Sequence, residues 1–223
     1  MKTAIILGAT GLTGGVLLRN LLGDDRYGNI ILFSRSPANV NHAKIEEHII
    51  DLFKLEEHAE KFKADEVYCC IGTTKSKTPD NETYKKIDHG IPVTAAKLCE
   101  KNNIPCYLVV SAMGADGKNK IFYNRVKGKM EKHVLEFDIK KTYIFRPSLI
   151  AGDREEKRTG EKIAKYAMSF FKPLMIGFLK KYRSISPQEI ATAMIFVANN
   201  GHRQTRIESD AIAELANAEK NSE

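Results

Sequence analysis

The chain has 223 residues, of which 43% are hydrophobic and 28% charged, and its formal net charge is +7. This length suits one α/β domain with a substantial core, and no apolar run is long enough to cross a bilayer. The positive charge favours anionic partners, but no nucleic-acid partner is expected, because no basic block, zinc-finger spacing or aromatic RNA-binding signature accompanies it.

Short apolar runs alternate with segments of helical length along the chain. The runs predict strands at residues 2–7, 29–33, 45–50, 66–71, 106–110, 142–145 and 206–209. The longer segments predict helices after the first strand and at residues 94–100, 123–137 and 187–198, with a frayed tail at 217–223. This alternation predicts βαβ units with right-handed crossovers, which give a doubly wound parallel sheet of the Rossmann type.

A glycine-rich turn follows the first predicted strand and begins the first predicted helix. Its sequence is Gly8-Ala9-Thr10-Gly11-Leu12-Thr13-Gly14. In the dinucleotide-binding turn the first glycine permits a tight turn, the second lets the backbone approach a pyrophosphate, and the third allows close packing of helix on strand. The helix N-terminus offers unpaired amides to the phosphates. The turn therefore predicts dinucleotide binding through Gly8, Thr10, Gly11, Leu12, Thr13 and Gly14.

The end of the second predicted strand bears on which dinucleotide is bound. An NAD site usually carries an acid there, which binds the ribose 2′-hydroxyl. This strand ends instead in Ser34-Arg35-Ser36. Arg35 has the planar fork that suits a 2′-phosphate, and Ser34 has a hydroxyl that can donate to it. We therefore expect NADP(H) rather than NAD(H).

Three further residues indicate proton-transfer chemistry. Tyr123 and Lys127 are four residues apart and share one face of a predicted helix. A nearby ammonium favours the phenolate of a tyrosine, and Lys127 can also reach the cofactor ribose. Ser111 follows a predicted strand, at the sheet edge where it could orient a substrate carbonyl. Since the cofactor carries the hydride, these are the groups that a reductase needs.

Together these residues resemble the short-chain dehydrogenase/reductase superfamily, in its atypical and extended branches. The resemblance covers roughly residues 2–152, with a weaker similarity to about residue 198. It implies that Ser111, Tyr123 and Lys127 are catalytic. It also implies cofactor contacts from Asp51 and Leu52 near the adenine, from Ile71, Gly72 and Thr73 after the fourth strand, and from Arg146 and Pro147 at the nicotinamide end. Asp88 is the nearest polar residue to the asparagine that many members carry.

The full-length pattern is most similar to the Tat-interacting oxidoreductase-like branch of that superfamily. The resemblance implies NADPH binding, poorly defined substrates and some regulatory roles. It divides the chain into an NADP-binding core at residues 1–152 and a small substrate-side segment at 153–223, packed on the core as one domain. Residues 162–183 either line the pocket or touch a membrane surface, and a homodimer is the family-based expectation.

Two functions from different classes follow from these observations. The first is an NADPH-dependent oxidoreductase that transfers a hydride to a small carbonyl substrate at a Ser/Tyr/Lys site. The second is an NADP(H)-binding regulatory or scaffold protein with a protein partner and little or no turnover. A sugar-nucleotide epimerase fits less well, because the chain is short for the larger substrate region of such enzymes.

Cysteine usage and the N-terminus give the remaining expectations. The cysteines Cys69, Cys70, Cys99 and Cys106 include no C-x-x-C pair, so reduced thiols and no metal site are expected. The N-terminal apolar stretch is too short for a secretory signal and lacks a small-residue cleavage site, so we expect a cytoplasmic protein.

Overall fold

The computed structural model describes residues 1–151 and 182–220. Within them, seven strands form one parallel sheet in the order β3-β2-β1-β4-β5-β6-β7. The strands are β1 (Lys2–Leu7), β2 (Tyr27–Ser34), β3 (Ile45–Ile49), β4 (Glu66–Cys69), β5 (Cys106–Val110), β6 (Lys141–Arg146) and β7 (Arg206–Glu208). The prediction of a doubly wound parallel sheet is confirmed.

The helices lie on both faces of the sheet. They are α1 (Leu12–Leu22), a run of 3₁₀ turns (Leu52–Lys61), α2 (Asn81–Lys85), a π-helical turn (Lys86–Gly90), α3 (Ile91–Lys101), α4 (Phe122–Val134), α5 (Pro187–Asn200) and α6 (Ser209–Lys220). Among the described residues, no helix is both long and apolar enough to span a membrane.

The core consists of two apolar layers, one on each face of the sheet. Successive residues of a strand point to opposite faces, so Ile6 and Leu108 pack in the layer with α1, α5 and α6. Ile5 and Val109 pack in the other layer, with α3 and α4. Because both faces are covered, central strands such as β1 and β5 are almost continuously apolar, which is the pattern that the sequence shows.

The C-terminal part of the chain contributes to this sheet. Helix α5 begins with a capping box, in which Ser186 and Glu189 satisfy each other's backbone amides. It leads into β7, which pairs with β6, and then into α6. The sequence prediction had no helix at residues 209–216 and a frayed tail from 217. The structure has α6 there instead, with Ile212 and Ala216 fully buried.

The order of the strands determines where a ligand can bind. The chain moves outward from β1 to β2 and β3, and then returns to β4 on the other side of β1. Ligands of doubly wound sheets bind beyond the carboxyl ends of the strands at such a reversal. The turns after β1 and β4 both lie there.

Candidate functional site

The glycine turn after β1 has the shape of a phosphate cradle. Gly8 has φ +90°, and a Cβ atom on it would lie 3.0 Å from the carbonyl of Cys70. A Cβ atom on Gly14 would lie 2.1 Å from the Gly8 oxygen. The amide of Gly11 donates to that same oxygen over 3.0 Å. Side chains are therefore excluded where the strand, the turn and the helix approach one another.

Helix α1 directs its N-terminus at this turn. Gly11 is its N-cap and has no side chain to accept from the first amides, so those amides stay available to an anion. Thr10 and Gly11 are exposed, Leu12 is half-buried and Thr13 is buried. The turn fits a dinucleotide pyrophosphate, bound by backbone donors.

The loop after β2 is bound by a carboxylate from β3, that of Glu47, which the sequence analysis missed. Ser34 is 2% exposed, and its hydroxyl lies 2.9 Å from the Ser36 carbonyl and 3.2 Å from Glu47 Oε1. The same Glu47 oxygen accepts from the Ala38 amide over 2.9 Å. The Ser34 hydroxyl is thus used inside the loop, whereas the Arg35 side chain is exposed.

The predicted adenine contacts begin the 3₁₀ segment. Asp51 is its N-cap and accepts from the Phe53 amide over 3.0 Å, while Leu52 is buried. Both residues follow β3, at the same edge of the sheet as the glycine turn. Their role toward the adenine stays a prediction.

The turn after β4 meets the predicted catalytic lysine. Ile71 is half-buried and Gly72 is exposed. A Cβ atom on Gly72 would lie 3.5 Å from Asp88 Oδ1 and 3.9 Å from Lys127 Nζ. The Thr73 amide donates to Asp88 Oδ2 over 2.8 Å. Asp88 thereby joins this turn to the lysine.

Lys127 and Asp88 form a buried ion pair. The Lys127 ammonium lies 3.0 Å from Asp88 Oδ1, and the two side chains are 3% and 1% exposed. The ammonium also donates to the Val110 carbonyl at the end of β5 over 3.2 Å. Burial lowers the pKa of Lys127, but the charges of Asp88 and Tyr123 raise it, and the net pKa is above the ordinary value. Lys127 is therefore held as a cation.

Tyr123 lies one turn before Lys127 on α4 and is 38% exposed. Because the two residues are four apart on this helix, their side chains lie on the same face. Asp88 lies in the π-helical turn between α2 and α3, a rare geometry that is frequent at functional sites. The structure thus brings together a solvent-accessible phenol, a buried ammonium and a buried carboxylate.

Ser111 belongs to a different cluster. It is 2% exposed, and its hydroxyl donates to Glu131 Oε1 over 2.6 Å. Glu131 also accepts from Arg146 Nε over 2.9 Å and from Nη2 over 2.6 Å, and from Arg206 Nε over 3.0 Å. We name these four residues, Ser111, Glu131, Arg146 and Arg206, the Glu131 cluster. The Ser111 proton is directed to a carboxylate.

The guanidinium of Arg146 is likewise used within the protein. Besides Glu131 it donates to Glu208 over 3.0 Å and to the Ala115 carbonyl over 3.2 Å. Pro147 is buried, and its carbonyl accepts from the Met113 amide over 2.9 Å. Arg146, at the end of β6, therefore joins this strand to α4 through Glu131 and to β7 through Glu208. Its predicted place at the nicotinamide end, like that of Pro147, stays a prediction.

Sequence reasoning missed Glu131 and Glu47. The spacing of Tyr123, Lys127 and Glu131, four residues each, was a usable signal for Glu131 because such residues share one helix face. Glu47 gave no comparable signal, since its contacts depend on the register of β3 against β2. Most of the segment at 162–183, predicted to line a pocket or touch a membrane, lies outside the described residues.

Comparison with known proteins supports a nicotinamide-dinucleotide-binding fold. A family model described as NAD(P)H-binding matches residues 8–169. Protein HTATIP2 of Rattus norvegicus is 29% identical over 220 residues, which cover 96% of this chain and 89% of that protein. The mitochondrial protein FMP52 of Meyerozyma guilliermondii is 33% identical over 154 residues, which cover 68% of this chain and 66% of that protein.

Solved structures share the fold at lower identity. The oxidoreductase ylbE from Lactococcus lactis superposes with a TM-score of 0.68 at 18% identity, covering 97% of this chain and 95% of its own. The Bordetella bronchiseptica enzyme WbmG in complex with NAD gives 0.66 at 14% identity, covering 99% and 78%.

The relatives overturn one prediction, that of a cytoplasmic protein. Those from Scheffersomyces stipitis, Aspergillus niger and Candida albicans are named as mitochondrial proteins. The prediction rested on the lack of a secretory signal, which does not distinguish the cytoplasm from other compartments. The matched family model shows that this chain belongs to the NAD(P)H-binding family, and over nearly its whole length its sequence is similar to that of HTATIP2.

Proposed function

We propose that this protein is an NADPH-dependent oxidoreductase that reduces a small carbonyl compound, with Tyr123 as the proton donor. The observation that carries the proposal is the buried Lys127 ammonium, paired with Asp88 at 3.0 Å and one helical turn from the exposed Tyr123. A buried lysine costs free energy unless it is paired. Lys127 lies one helical turn from a phenol, and at the edge of the sheet where the cofactor is proposed to bind it approaches the turn after β4 and the end of β5. A role in catalysis explains why a lysine is buried at this position.

Each group has a defined part in this chemistry. Tyr123 is exposed enough to meet a substrate, and its hydroxyl can give a proton to a carbonyl oxygen as negative charge develops there. The Lys127 cation stabilises the phenolate that remains. Asp88 holds Lys127 in place and keeps it charged. The bound dihydronicotinamide supplies the hydride.

The cofactor half of the proposal rests on the glycine cradle and on Arg35. The cradle binds the pyrophosphate common to both dinucleotides, so it does not discriminate between them. Arg35 is an exposed cation at the end of β2, where the adenosine ribose binds in this fold. A guanidinium there favours the 2′-phosphate of NADPH.

The test uses purified protein and a panel of small aldehydes and ketones, with oxidation of NADPH as the readout. For a substrate that is turned over, Tyr123→Phe should lower kcat about 100-fold or more, while NADPH binding measured by calorimetry stays unchanged. Phe122→Leu, at the neighbouring position, is the matched control. Unchanged kcat in Tyr123→Phe would refute the role of Tyr123.

A second candidate function, that of an NADP(H)-binding regulatory or scaffold protein, is favoured by Ser111. Its hydroxyl donates to Glu131 within the Glu131 cluster, and the next residue, Ala112, has no hydroxyl to replace it. A site that lacks a carbonyl-orienting hydroxyl would turn over slowly. Tight NADPH binding, no turnover on the panel and full cellular function of Tyr123→Phe would favour this candidate.

A further inference from the structure

Two opposite charges, Arg35 directly after β2 and Glu47 on β3, lie at the ribose end of the proposed dinucleotide site. Arg35 is exposed directly after β2. Glu47 comes from β3, where it is the register partner of Leu32. Its carboxylate accepts from the Ala38 amide at 2.9 Å and lies 3.2 Å from the Ser34 hydroxyl. An acid is therefore present where NAD-binding members of this fold carry one, although it comes from another strand.

These two charges do not neutralise each other. Among the described residues, neither Arg35 nor Glu47 lies within ion-pair distance of an oppositely charged group. Each therefore acts separately on a ligand in the loop. A ribose 2′-phosphate is attracted by Arg35 and repelled by Glu47, whereas a 2′-hydroxyl carries no charge and is affected by neither in this way.

We propose that Glu47 is a specificity-determining residue, whose carboxylate weakens 2′-phosphate binding and so reduces the preference of the site for NADPH over NADH. The inference rests on the proposed role of Arg35 and refines it. Arg35 sets a preference for NADPH, and Glu47 limits that preference.

The experiment measures the dissociation constants of NADPH and NADH for the wild type and for Glu47→Gln. Glutamine keeps an oxygen that can accept from Ala38 but removes the charge. We expect the variant to bind NADPH about three- to tenfold more tightly at low salt, with NADH affinity unchanged. The gain should shrink in 1 M salt, where the Debye length is about 3 Å.

Two further variants separate the effect of the Glu47 charge from the effect of a change in the structure of the loop. Glu46→Gln removes the same charge from the neighbouring residue, which points to the opposite face and contacts His48; it should leave both affinities unchanged. Glu47→Ala also removes the acceptor of the Ala38 amide, so any weakening that is common to both dinucleotides reports disorder of the loop.

The outcomes distinguish this inference from the proposed function. If the ratio of the NADPH and NADH dissociation constants is unchanged in Glu47→Gln, or changes equally in Glu46→Gln, the role of Glu47 is overturned. The proposed reductase function is not affected by either result. Binding without turnover overturns the reductase and leaves the role of Glu47 standing. Wild-type protein that binds neither dinucleotide would overturn both.

Discussion

Helix α4 carries two buried charged groups one turn apart, Lys127 and Glu131, and their surroundings differ. Glu131 accepts four hydrogen bonds, from Ser111, Arg206 and twice from Arg146. Lys127 has one carboxylate, that of Asp88, and one backbone carbonyl. Lys127 also lies beside an exposed phenol and the turn after β4, whereas the Glu131 cluster joins β5, β6 and β7 to the helix.

If Lys127 acts in catalysis as proposed, one helix serves both the architecture and the chemistry of the protein. A carboxylate whose acceptor sites are filled by fixed donors is a structural element, because any change of charge would leave two arginines without their partner. A buried ammonium with a single counter-ion can still respond to a neighbouring group that changes charge. We call the part of α4 with Tyr123 and Lys127 its catalytic half and the part with Glu131 its structural half. If the two halves are separate, substitutions in the first should affect turnover and substitutions in the second only stability.

The largest effect is expected for Lys127→Met. The substitution leaves the fully buried Asp88 without its cation, so it should lower the free energy of unfolding by about 3–5 kcal/mol and abolish turnover. Urea denaturation and NADPH oxidation measure the two effects. Lys129→Met, at an exposed position of the same helix, is the control and should change neither. A stability loss below about 1 kcal/mol would contradict the burial of this pair.

Glu131→Gln should lower the free energy of unfolding and leave NADPH binding unchanged. The Arg146 and Arg206 side chains are 19% and 44% exposed, so water can partly replace the lost carboxylate. We therefore expect a loss of about 2–3 kcal/mol, below the upper range for buried pairs. Denaturation and NADPH calorimetry on the same sample give the result. Full stability with lost turnover would instead place Glu131 in the catalytic half of the helix.

The sequence predicted the sheet well because burial on both faces forces continuous apolar runs, such as β1 and β5, that no polar register interrupts. It also predicted the cradle, since the backbone geometry at Gly8 and Gly14 admits no side chain. Helix α6 was missed because its apolar residues are mostly alanines, which give only a weak apolar stripe around Ile212 and Leu215. Segment 52–61 was missed because its 3₁₀ turns lack the period of an α-helix.

The candidate site was predicted less completely, for a different reason. Tyr123 and Lys127 are close in sequence, so helical spacing alone puts them on one face. Asp88 and Glu47 reach the site through tertiary contacts. Asp88 is 39 residues from Lys127 in the sequence, and Glu47 is 13 residues from Ser34. Such contacts depend on which strands and helices are neighbours, and local patterns do not encode that.

The pH dependence of stability should reveal the Lys127–Asp88 pair. A lysine whose pKa is raised on folding stabilises the folded protein fully below its ordinary value of 10.5, and this stabilisation is lost as the pH rises through the raised value. Asp88→Asn removes the main attraction, so the pKa of Lys127 falls, the variant is less stable at neutral pH, and its alkaline loss of stability shrinks or disappears. Denaturation series from neutral to alkaline pH should show the wild type and variant converging. Parallel curves would mean that Asp88 does not set the charge of Lys127.

The smallest effect is expected for Ser111, where the sequence and the structure suggest different roles. If its hydroxyl serves only the Glu131 cluster, Ser111→Ala should cost about 1 kcal/mol of stability, because both arginines still hold Glu131. The kcat for any identified carbonyl substrate should then stay within about threefold of wild type, far from the 100-fold or greater loss expected of a residue in proton transfer. Ser111→Thr, which keeps a hydroxyl, is the matched variant for stability. A large fall in kcat with stability preserved would show that the hydroxyl turns from Glu131 to the substrate during the reaction, and Ser111 would then belong with Tyr123 and Lys127 rather than with the structural contacts of Glu131.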